Sequence, residues 1–218
     1  MGPQVILSLD QAELNRGVLA LAGTDADLRE VITRHGSPPL WDREPGFSTL
    51  LQIILEQQVS LASARATYER LLGVVSPLTP SALLALDDAS LKRAGFSRQK
   101  AAYARALAGT LVDGTFDLGG LESKGDDEVR VELTRLRGIG AWSADIYLLM
   151  ALRRADVWPR SDLALATAAA EVKKLDSRPS PDELETLATI WRPWRAVAAR
   201  ILWHHYLSTR KRDLSRDV

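Results

Sequence analysis

The chain has 218 residues, of which 46% are apolar, and its 28 basic side chains balance 28 acidic ones. This length is enough for one large domain or two small lobes. The sequence contains no cysteine, which excludes disulfides, thiolate metal sites and an iron–sulfur cluster. Zero net charge is weak evidence against a nucleic-acid partner, because proteins that bind phosphates are often basic.

No membrane association is expected, because no apolar run approaches the length of a bilayer span. The segment Met1–Leu9 is too short and too poor in charge for a signal peptide. We therefore expect a cytoplasmic location, at the nucleoid if the protein is bacterial.

Apolar residues recur with helical spacing along most of the chain, and β-branched residues are sparse. In chain order, the pattern predicts a helix over 25–36 that is capped by its first residue, and an amphipathic helix from about Phe47. Further helices are predicted over 126–137 and 181–207. The last of these should bend near Pro193, where the ring removes an N–H donor.

The segment Val5-Ile6-Leu7 is the only candidate strand, and it is too short to support a sheet. We therefore predict an all-α protein with two helical lobes and a cleft between them. The predicted divisions are an N-terminal segment, 1–36, that packs with the C-terminal lobe, then a central lobe, 37–140, and a last lobe, 141–218.

The run Leu136-Arg137-Gly138-Ile139-Gly140-Ala141 places two glycines around one apolar residue, between two predicted helices. Gly-x-Gly alone mostly marks a tight turn. Because no strand precedes it, the context disfavours a dinucleotide-binding fingerprint. Bare backbone N–H groups at a helix N-terminus can approach a phosphate, since no Cβ blocks the way. The pattern therefore predicts a helix-hairpin-helix that binds DNA phosphate through Arg137, Gly138, Ile139 and Gly140.

The run Asp156-Val157-Trp158-Pro159-Arg160-Ser161-Asp162 ends in a carboxylate at the start of a further helix. Two interpretations stay open. Asp162 could simply be an N-cap, which is the commonest role of Asp before an Ala-rich helix. Alternatively, Pro159 and Ser161 could set the chain so that Asp162 points into a cleft. There it could stabilise positive charge on a sugar as a base departs, or orient a water molecule.

Tryptophan is unusually frequent, with six residues against three phenylalanines. We expect Trp191 and Trp194 in the core, whereas Trp142, just after the hairpin glycines, could stack on a flipped base. The pair Gln57-Gln58 interrupts an otherwise apolar helix. These amides are either ordinary surface polarity, or they read a base edge and fill the space that a flipped base vacates.

Taken together, these segments resemble the helix-hairpin-helix DNA glycosylase superfamily, in its 3-methyladenine DNA glycosylase II branch. The resemblance covers roughly residues 25–207 and rests on the joint order and spacing of its segments. These are Ile54-Leu55-Glu56-Gln57-Gln58-Val59-Ser60, Gly95-Phe96-Ser97 with Lys100, Leu136 to Ala144, Asp156-Val157-Trp158-Pro159 with Asp162, and Trp191-Arg192-Pro193-Trp194-Arg195.

The resemblance implies a catalytic role for Asp162 and a phosphate-binding hairpin at Gly138 and Gly140, where relatives hold a monovalent cation. It also implies a wedge at Gln58, which fills the gap left by a flipped nucleotide. The implied base-pocket residues are Gln57, Trp142, Ile146 and Trp203. Bifunctional members place a lysine where Trp142 stands, and that lysine forms a Schiff base. Its absence implies a monofunctional enzyme.

A larger member of the branch has an additional N-terminal β-domain, for which this chain has no room, and a pocket tyrosine where Ile146 stands. The leading prediction is a monomeric glycosylase, without a cofactor, that releases alkylated bases from double-stranded DNA in base excision repair. One alternative is a non-catalytic DNA-binding protein, against which the acid at Asp162 argues. Another is a glycosylase for deaminated or oxidised bases, and the missing lysine argues against the oxidised ones.

Overall fold

The computed structural model describes residues 7–214, and side chains as far as residue 210. Within that range the chain forms twelve α-helices and two short 3₁₀ segments, and no strand. Ser8 and Arg154 form an isolated antiparallel bridge. The all-α prediction is confirmed; of the candidate strand, Val5 and Ile6 lie outside the described residues. None of the described helices combines the length and the apolar character needed to span a bilayer.

The elements follow one another as α1 (Gln11–Thr24), α2 (Ala26–His35), α3 (Phe47–Glu56), α4 (Leu61–Leu72), α5 (Pro80–Leu84), α6 (Asp88–Ala94), α7 (Arg98–Val112), a 3₁₀ segment (Gly119–Ser123), α8 (Asp126–Thr134), α9 (Ala141–Met150), α10 (Leu163–Lys173), α11 (Pro181–Ala188), a 3₁₀ segment (Thr189–Trp191) and α12 (Arg195–Leu214).

Local sequence explains where most of these helices begin. A Ser, Thr or Asp side chain accepts a backbone N–H from the first turn, which satisfies a donor that a helix end leaves open. The capping residues are Asp10, Asp25, Ser60, Thr79, Asp87, Ser97, Asp162 and Ser180. As predicted, α2 is capped by Asp25 and ends at Gly36, whose φ of 81° is easily adopted without a Cβ.

Contacts divide the chain into two compact units. Unit 1 comprises Met1–Asp42 with Leu148–Val218, and unit 2 comprises Arg43–Tyr147. The predicted limits, 1–36, 37–140 and 141–218, lie several residues before each change of unit. The glycine pair that suggested the second limit marks a turn inside unit 2 and not its end. The cleft stays a prediction.

In unit 2, α3 packs against α4 and α7, and α7 also packs against α5 and α6. The apolar face of α3, with Leu50, Ile53 and Ile54, is fully buried. Tyr147 is buried too, and its hydroxyl accepts the N–H of Gly46, the residue before α3, at 3.1 Å. Burial raises the pKa of Tyr147 to about 12, so this contact to the start of α3 is made by a neutral phenol.

In unit 1, α12 packs against α1, α2 and α10. Arg200 of α12 is fully buried, and desolvation lowers its pKa. Its guanidinium donates to three backbone carbonyls at 2.7–3.0 Å, those of Leu40, Leu149 and Ala196. Of the two tryptophans expected in the core, Trp191 is buried and Trp194 is half-buried.

The prediction of a single helix over 181–207 is wrong. Two helices stand there, because α11 ends at Ala188 and α12 begins at Arg195. Pro193 has no N–H, and its ring disfavours a helical backbone at Arg192, whose ψ is 143°. The α-helix has already ended at Ala188, so Pro193 lies between two helices and not at a bend within one. Similarly, α8 ends at Thr134 and not at Arg137 as predicted.

Candidate active site

The glycine pair lies in a turn of unit 2, between α8 and the start of α9. The N–H of Ile139 donates to the carbonyl of Leu136 at 3.0 Å, and both side chains are buried. Arg137 and Gly140 are exposed. The apolar residues thus anchor the turn, while a guanidinium and a glycine face outward, as a hairpin that grips phosphate would require.

The physical reason for a glycine differs between positions 138 and 140. Gly138 has a φ of +90°, and a Cβ there would lie 2.3 Å from Cγ of Tyr103, so neither the backbone nor the space admits a side chain. Around Gly140, nothing lies within 4 Å of the position that a Cβ would take. Gly140 therefore leaves open the approach to the N-terminus of α9, where backbone N–H groups and the helix dipole favour an anion.

The adjacent amides of Gln57 and Gln58 follow the end of α3 and have different environments. The side-chain nitrogen of Gln57 donates to the carbonyl of Gly138 at 2.8 Å and to Oγ of Ser143 at 2.9 Å. Both of its amide hydrogens are thereby used on the hairpin and the first turn of α9. Gln58 is exposed, with a φ of +57°. The wedge role of Gln58 and the base-pocket role of Gln57 both stay predictions.

The other two predicted pocket residues of unit 2 lie on α9. Trp142 is half-buried in the first turn of the helix. Ile146, one turn later, is only 2% exposed. The structure thus brings the hairpin, Gln57, Gln58 and Trp142 into one region of unit 2. The pocket roles of Trp142 and Ile146 stay predictions.

Asp162 lies in unit 1, at the N-cap of α10, with 8% of its surface exposed. Its Oδ1 accepts the backbone N–H of Leu165 at 2.8 Å and the indole N–H of Trp203 at 3.2 Å. The capping interpretation is therefore correct, and capping accounts for only part of its contacts. The structure joins two predicted site residues, the carboxylate and an aromatic ring, through a hydrogen bond. The N-terminal end of the α10 dipole also favours negative charge at this position.

The turn before α10 opens onto solvent. Ser161 has a φ of +62°, which is uncommon for a residue with a Cβ. A depression of ≈ 410 Å³ within unit 1 is lined by Asp162 together with, among others, Ser161, Leu163 and Arg178. Asp162 is therefore shielded from bulk water but lies at the wall of an open depression.

The opposite end of α10 is held by an ion pair. Nζ of Lys173 donates to both carboxylate oxygens of Asp25 at 2.7 Å, and the indole N–H of Trp191 donates to the same group at 2.8 Å. Burial alone would raise the pKa of Asp25, but these donors hold it below its usual value. The ionised pair contributes stability at neutral pH that is lost as the pH falls through the lowered pKa of Asp25.

A monovalent cation at the hairpin would need carbonyl oxygens. The carbonyls of Gly138 and Gly140 each accept one hydrogen bond, from Gln57 and Ala144 respectively. Each carbonyl oxygen has a second lone pair that is available to a cation, and the cation itself stays a prediction. Elsewhere in the described part of the chain, no group of three or more His, Asp or Glu side chains is arranged to hold a metal ion.

Sequence reasoning missed several supporting residues. Ser143 accepts from Gln57, Tyr103 packs on Gly138, and Lys100 donates to the carbonyl of Leu55 at the end of α3. Lys100 had a signal, because it stands in the Gly95-Phe96-Ser97 segment of the family resemblance. Ser143 likewise stands in the Leu136 to Ala144 segment, whereas Tyr103 had no signal, since its contact with Gly138 depends on tertiary packing.

Comparison with known proteins points to the same family as the sequence resemblance. Residues 51–194 match the family model described as HhH-GPD superfamily base excision DNA repair protein. The chain is 27% identical over 184 residues to the Bacillus subtilis protein YfjP, whose name suggests a DNA-3-methyladenine glycosylase. That match covers 81% of this chain and 64% of the relative, so the chain spans less than two thirds of that protein.

Two solved structures share the fold. The Schizosaccharomyces pombe 3-methyladenine DNA glycosylase in complex with abasic DNA has a TM-score of 0.80 at 24% identity, covering 86% of this chain and 95% of that one. A DNA-3-methyladenine glycosidase from Bacillus halodurans has a TM-score of 0.70 at 27% identity, covering 93% of each chain. The family model matches more than half of the residues of this chain. The chain therefore belongs to the HhH-GPD superfamily of base excision DNA repair proteins.

Proposed function

We propose that this protein is a monofunctional DNA glycosylase that hydrolyses the N-glycosidic bond of alkylated bases, of the 3-methyladenine type, in double-stranded DNA. Its place is the first step of base excision repair. The observation that carries the proposal is the carboxylate of Asp162, which is 8% exposed and hydrogen-bonded to Trp203 at 3.2 Å. Capping uses only the hydrogen bond from Leu165, so the contact with Trp203 supports a role for this carboxylate beyond capping.

The chemistry asked of Asp162 is electrostatic. When the bond from C1′ to the base breaks, the base leaves with the electron pair and positive charge grows on the sugar. A fixed carboxylate in a partly dry site opposes that charge more strongly than bulk water does. Water then adds at C1′ and loses a proton. An alkylated purine that already carries positive charge leaves as a neutral base, so its departure needs no protonation by the enzyme.

Binding and flipping are assigned to unit 2. The exposed hairpin at Gly140 contacts a phosphate through backbone N–H groups, which fixes the position on DNA without reading sequence. Exposed Gln58 fills the space that the flipped nucleotide leaves, since an unfilled gap would cost stacking energy. Trp142 contributes an aromatic face that can stack on a base.

The enzyme should be monofunctional because a tryptophan, which cannot form a Schiff base, stands at position 142. A monovalent cation bound by the carbonyls of Gly138 and Gly140 would add positive charge beside a DNA phosphate. We further propose that the protein acts as a monomer in the cytoplasm, at the nucleoid if the source is bacterial.

The test is single-turnover base release from a panel of duplex oligonucleotides that each contain one defined lesion. The panel includes 3-methyladenine, 7-methylguanine, 1-methyladenine, hypoxanthine and 8-oxoguanine, with undamaged duplex as the control. We expect release of alkylated bases, no strand cleavage, and no adduct trapped by borohydride. Release of 8-oxoguanine with a trapped adduct would contradict the proposal, and so would tight DNA binding without release of any base.

A further inference from the structure

The three residues before Gln58 are each held by a different part of unit 2. The carbonyl of Leu55 accepts a hydrogen bond from Lys100, the carboxylate of Glu56 pairs with Arg43, and the amide of Gln57 binds the hairpin. We call these three contacts the brace. None of the three contacts follows from the helical pattern of α3. Neither Lys100 nor Arg43 has a role in the binding, flipping or catalysis proposed above.

Lys100 reaches α3 from the first turn of α7. Its Nζ donates to the carbonyl of Leu55 at 2.6 Å, and the side chain is half-buried. The last carbonyls of a helix have no partner within the helix and carry the negative end of its dipole. An ammonium group is therefore an effective clamp for the end of α3. Desolvation lowers the pKa of Lys100, which reflects the cost of keeping the charge at this place.

Arg43 and Glu56 form the second contact, at the last residue of α3. Two guanidinium nitrogens of Arg43 lie 2.8 and 3.2 Å from the two carboxylate oxygens of Glu56. The side chains are 22% and 14% exposed, so the pair is largely shielded. A two-pronged pair of this kind fixes orientation as well as distance. It therefore restricts rotation of the chain just before Gln57.

Gln57 completes the brace and connects it to the hairpin. Its nitrogen bridges the carbonyl of Gly138 and Oγ of Ser143, so the loop after α3 is tied to both sides of Gly140. Gln58, the next residue, is exposed and has a φ of +57°. A residue with a Cβ keeps such a conformation only where its surroundings over-determine it. The three contacts of the brace hold Gln58 in this conformation.

We propose that Lys100 is a positioning residue which, with Arg43 and Gln57, holds Gln58 pre-set in the conformation that fills the duplex and couples it to the phosphate-binding hairpin. The inference rests on the proposed function, because it assumes that Gln58 enters DNA. It predicts that loss of Lys100 impairs flipping through Gln58, while the hairpin still binds DNA.

The natural chain contains no cysteine, which permits a chemical rescue. In Lys100→Cys, alkylation of the introduced thiol with bromoethylamine rebuilds a side chain of lysine length with a terminal ammonium group. Exposed Lys92 of α6 offers a matched control, Lys92→Cys, treated in the same way. The readouts are the fluorescence of a reporter base beside the lesion, which measures flipping, and the affinity for undamaged duplex, which measures hairpin binding.

We expect Lys100→Cys to reduce the flipping equilibrium by roughly tenfold, which is within the range found for coupled neighbouring residues. Aminoethylation should restore most of it, and affinity for undamaged duplex should change little. In a Gln58→Ala background the same substitution should change flipping by less than about twofold, because the group through which Lys100 acts is gone. Lys92→Cys should behave as the parent before and after alkylation.

Two outcomes would overturn the inference. One is unchanged flipping in a folded Lys100→Cys protein, and the other is an equal loss in the Gln58→Ala background, which would mean that Lys100 acts elsewhere. If Lys100→Cys does not fold, Glu56→Gln tests the brace from its other side with the same readouts. Failure of the proposed function shows separately, as absence of base release by the parent protein, because the reporter detects flipping without cleavage.

Discussion

The hairpin turn before α9 and the turn before α10 use similar backbone geometry for different purposes. Each contains a left-handed residue shortly before a helix begins, Gly138 at +90° in the first and Ser161 at +62° in the second. The hairpin then presents the bare backbone of Gly140, whereas the second turn presents the carboxylate of Asp162. Binding a phosphate through N–H groups requires that side chains be absent. Opposing the charge on a sugar requires a side chain held in one place.

The largest effect should come from removing the charge of the second turn. Asn at position 162 keeps the shape and the capping ability of Asp but not its charge. Asp162→Asn should lower single-turnover release of 3-methyladenine by roughly two or more orders of magnitude, a typical scale for one electrostatic group. Affinity for lesion DNA should stay close to that of the parent. Full activity in this variant would reduce Asp162 to a helix cap.

Next in size is the cost of a side chain at the left-handed residue of the hairpin. Gly138→Ala adds a Cβ that would lie 2.3 Å from Tyr103 at a φ of +90°. Strain and overpacking together should lower the free energy of unfolding by about 3 kcal/mol, measured by urea denaturation. Gly109→Ala in α7 is the matched control, because that glycine has open space around it. An Ala there should be neutral or stabilising, and equal effects at both positions would contradict this account of Gly138.

A smaller effect is expected from a side chain at Gly140, where the hairpin has open space around it. At Gly140 a side chain has room, but Gly140 is the residue before α9 and its carbonyl accepts the first helical hydrogen bond, so Gly140→Val should lower the free energy of unfolding by only about 1 kcal/mol. It should nevertheless obstruct a phosphate, and we expect affinity for abasic-site duplex to fall roughly tenfold, the equivalent of ~1.4 kcal/mol. The affinity of Gly140→Ala for this duplex should lie between those of the parent and of Gly140→Val. Unchanged affinity in folded Gly140→Val would mean that the turn is only structural.

The smallest effect should follow from making the two turns alike. Ser161→Gly relieves the cost of a left-handed residue with a Cβ but adds the backbone entropy of glycine to the unfolded chain. These terms nearly cancel, so the free energy of unfolding should rise by no more than about 1 kcal/mol. Base release should stay within twofold of the parent, which is about 0.4 kcal/mol. A large loss of activity would show that Ser161 itself contributes to the chemistry.

Much of the fold could be predicted because its signals are local. Helical spacing of apolar residues and capping side chains at the helix starts gave the all-α class, and Gly138 with Gly140 gave the hairpin. The error at 181–207 arose because Pro193 permits either a kink or an end, and only packing chooses between them. The carboxylate at the start of α10 was also visible as a capping residue.

The sequence by itself therefore determined the all-α class, the cap of α2, the glycine turn before α9 and the position of Asp162 along the chain. Only the tertiary structure decided which groups meet. Trp203 donates to Asp162 across 41 positions, and Gln57 reaches Gly138 across 81. Nor does α3 indicate that Gln57 is tied down while Gln58 is exposed, since the two residues are chemically identical neighbours. Their difference comes from packing between helices far apart in sequence, because a side chain's partners depend on where distant backbone atoms lie.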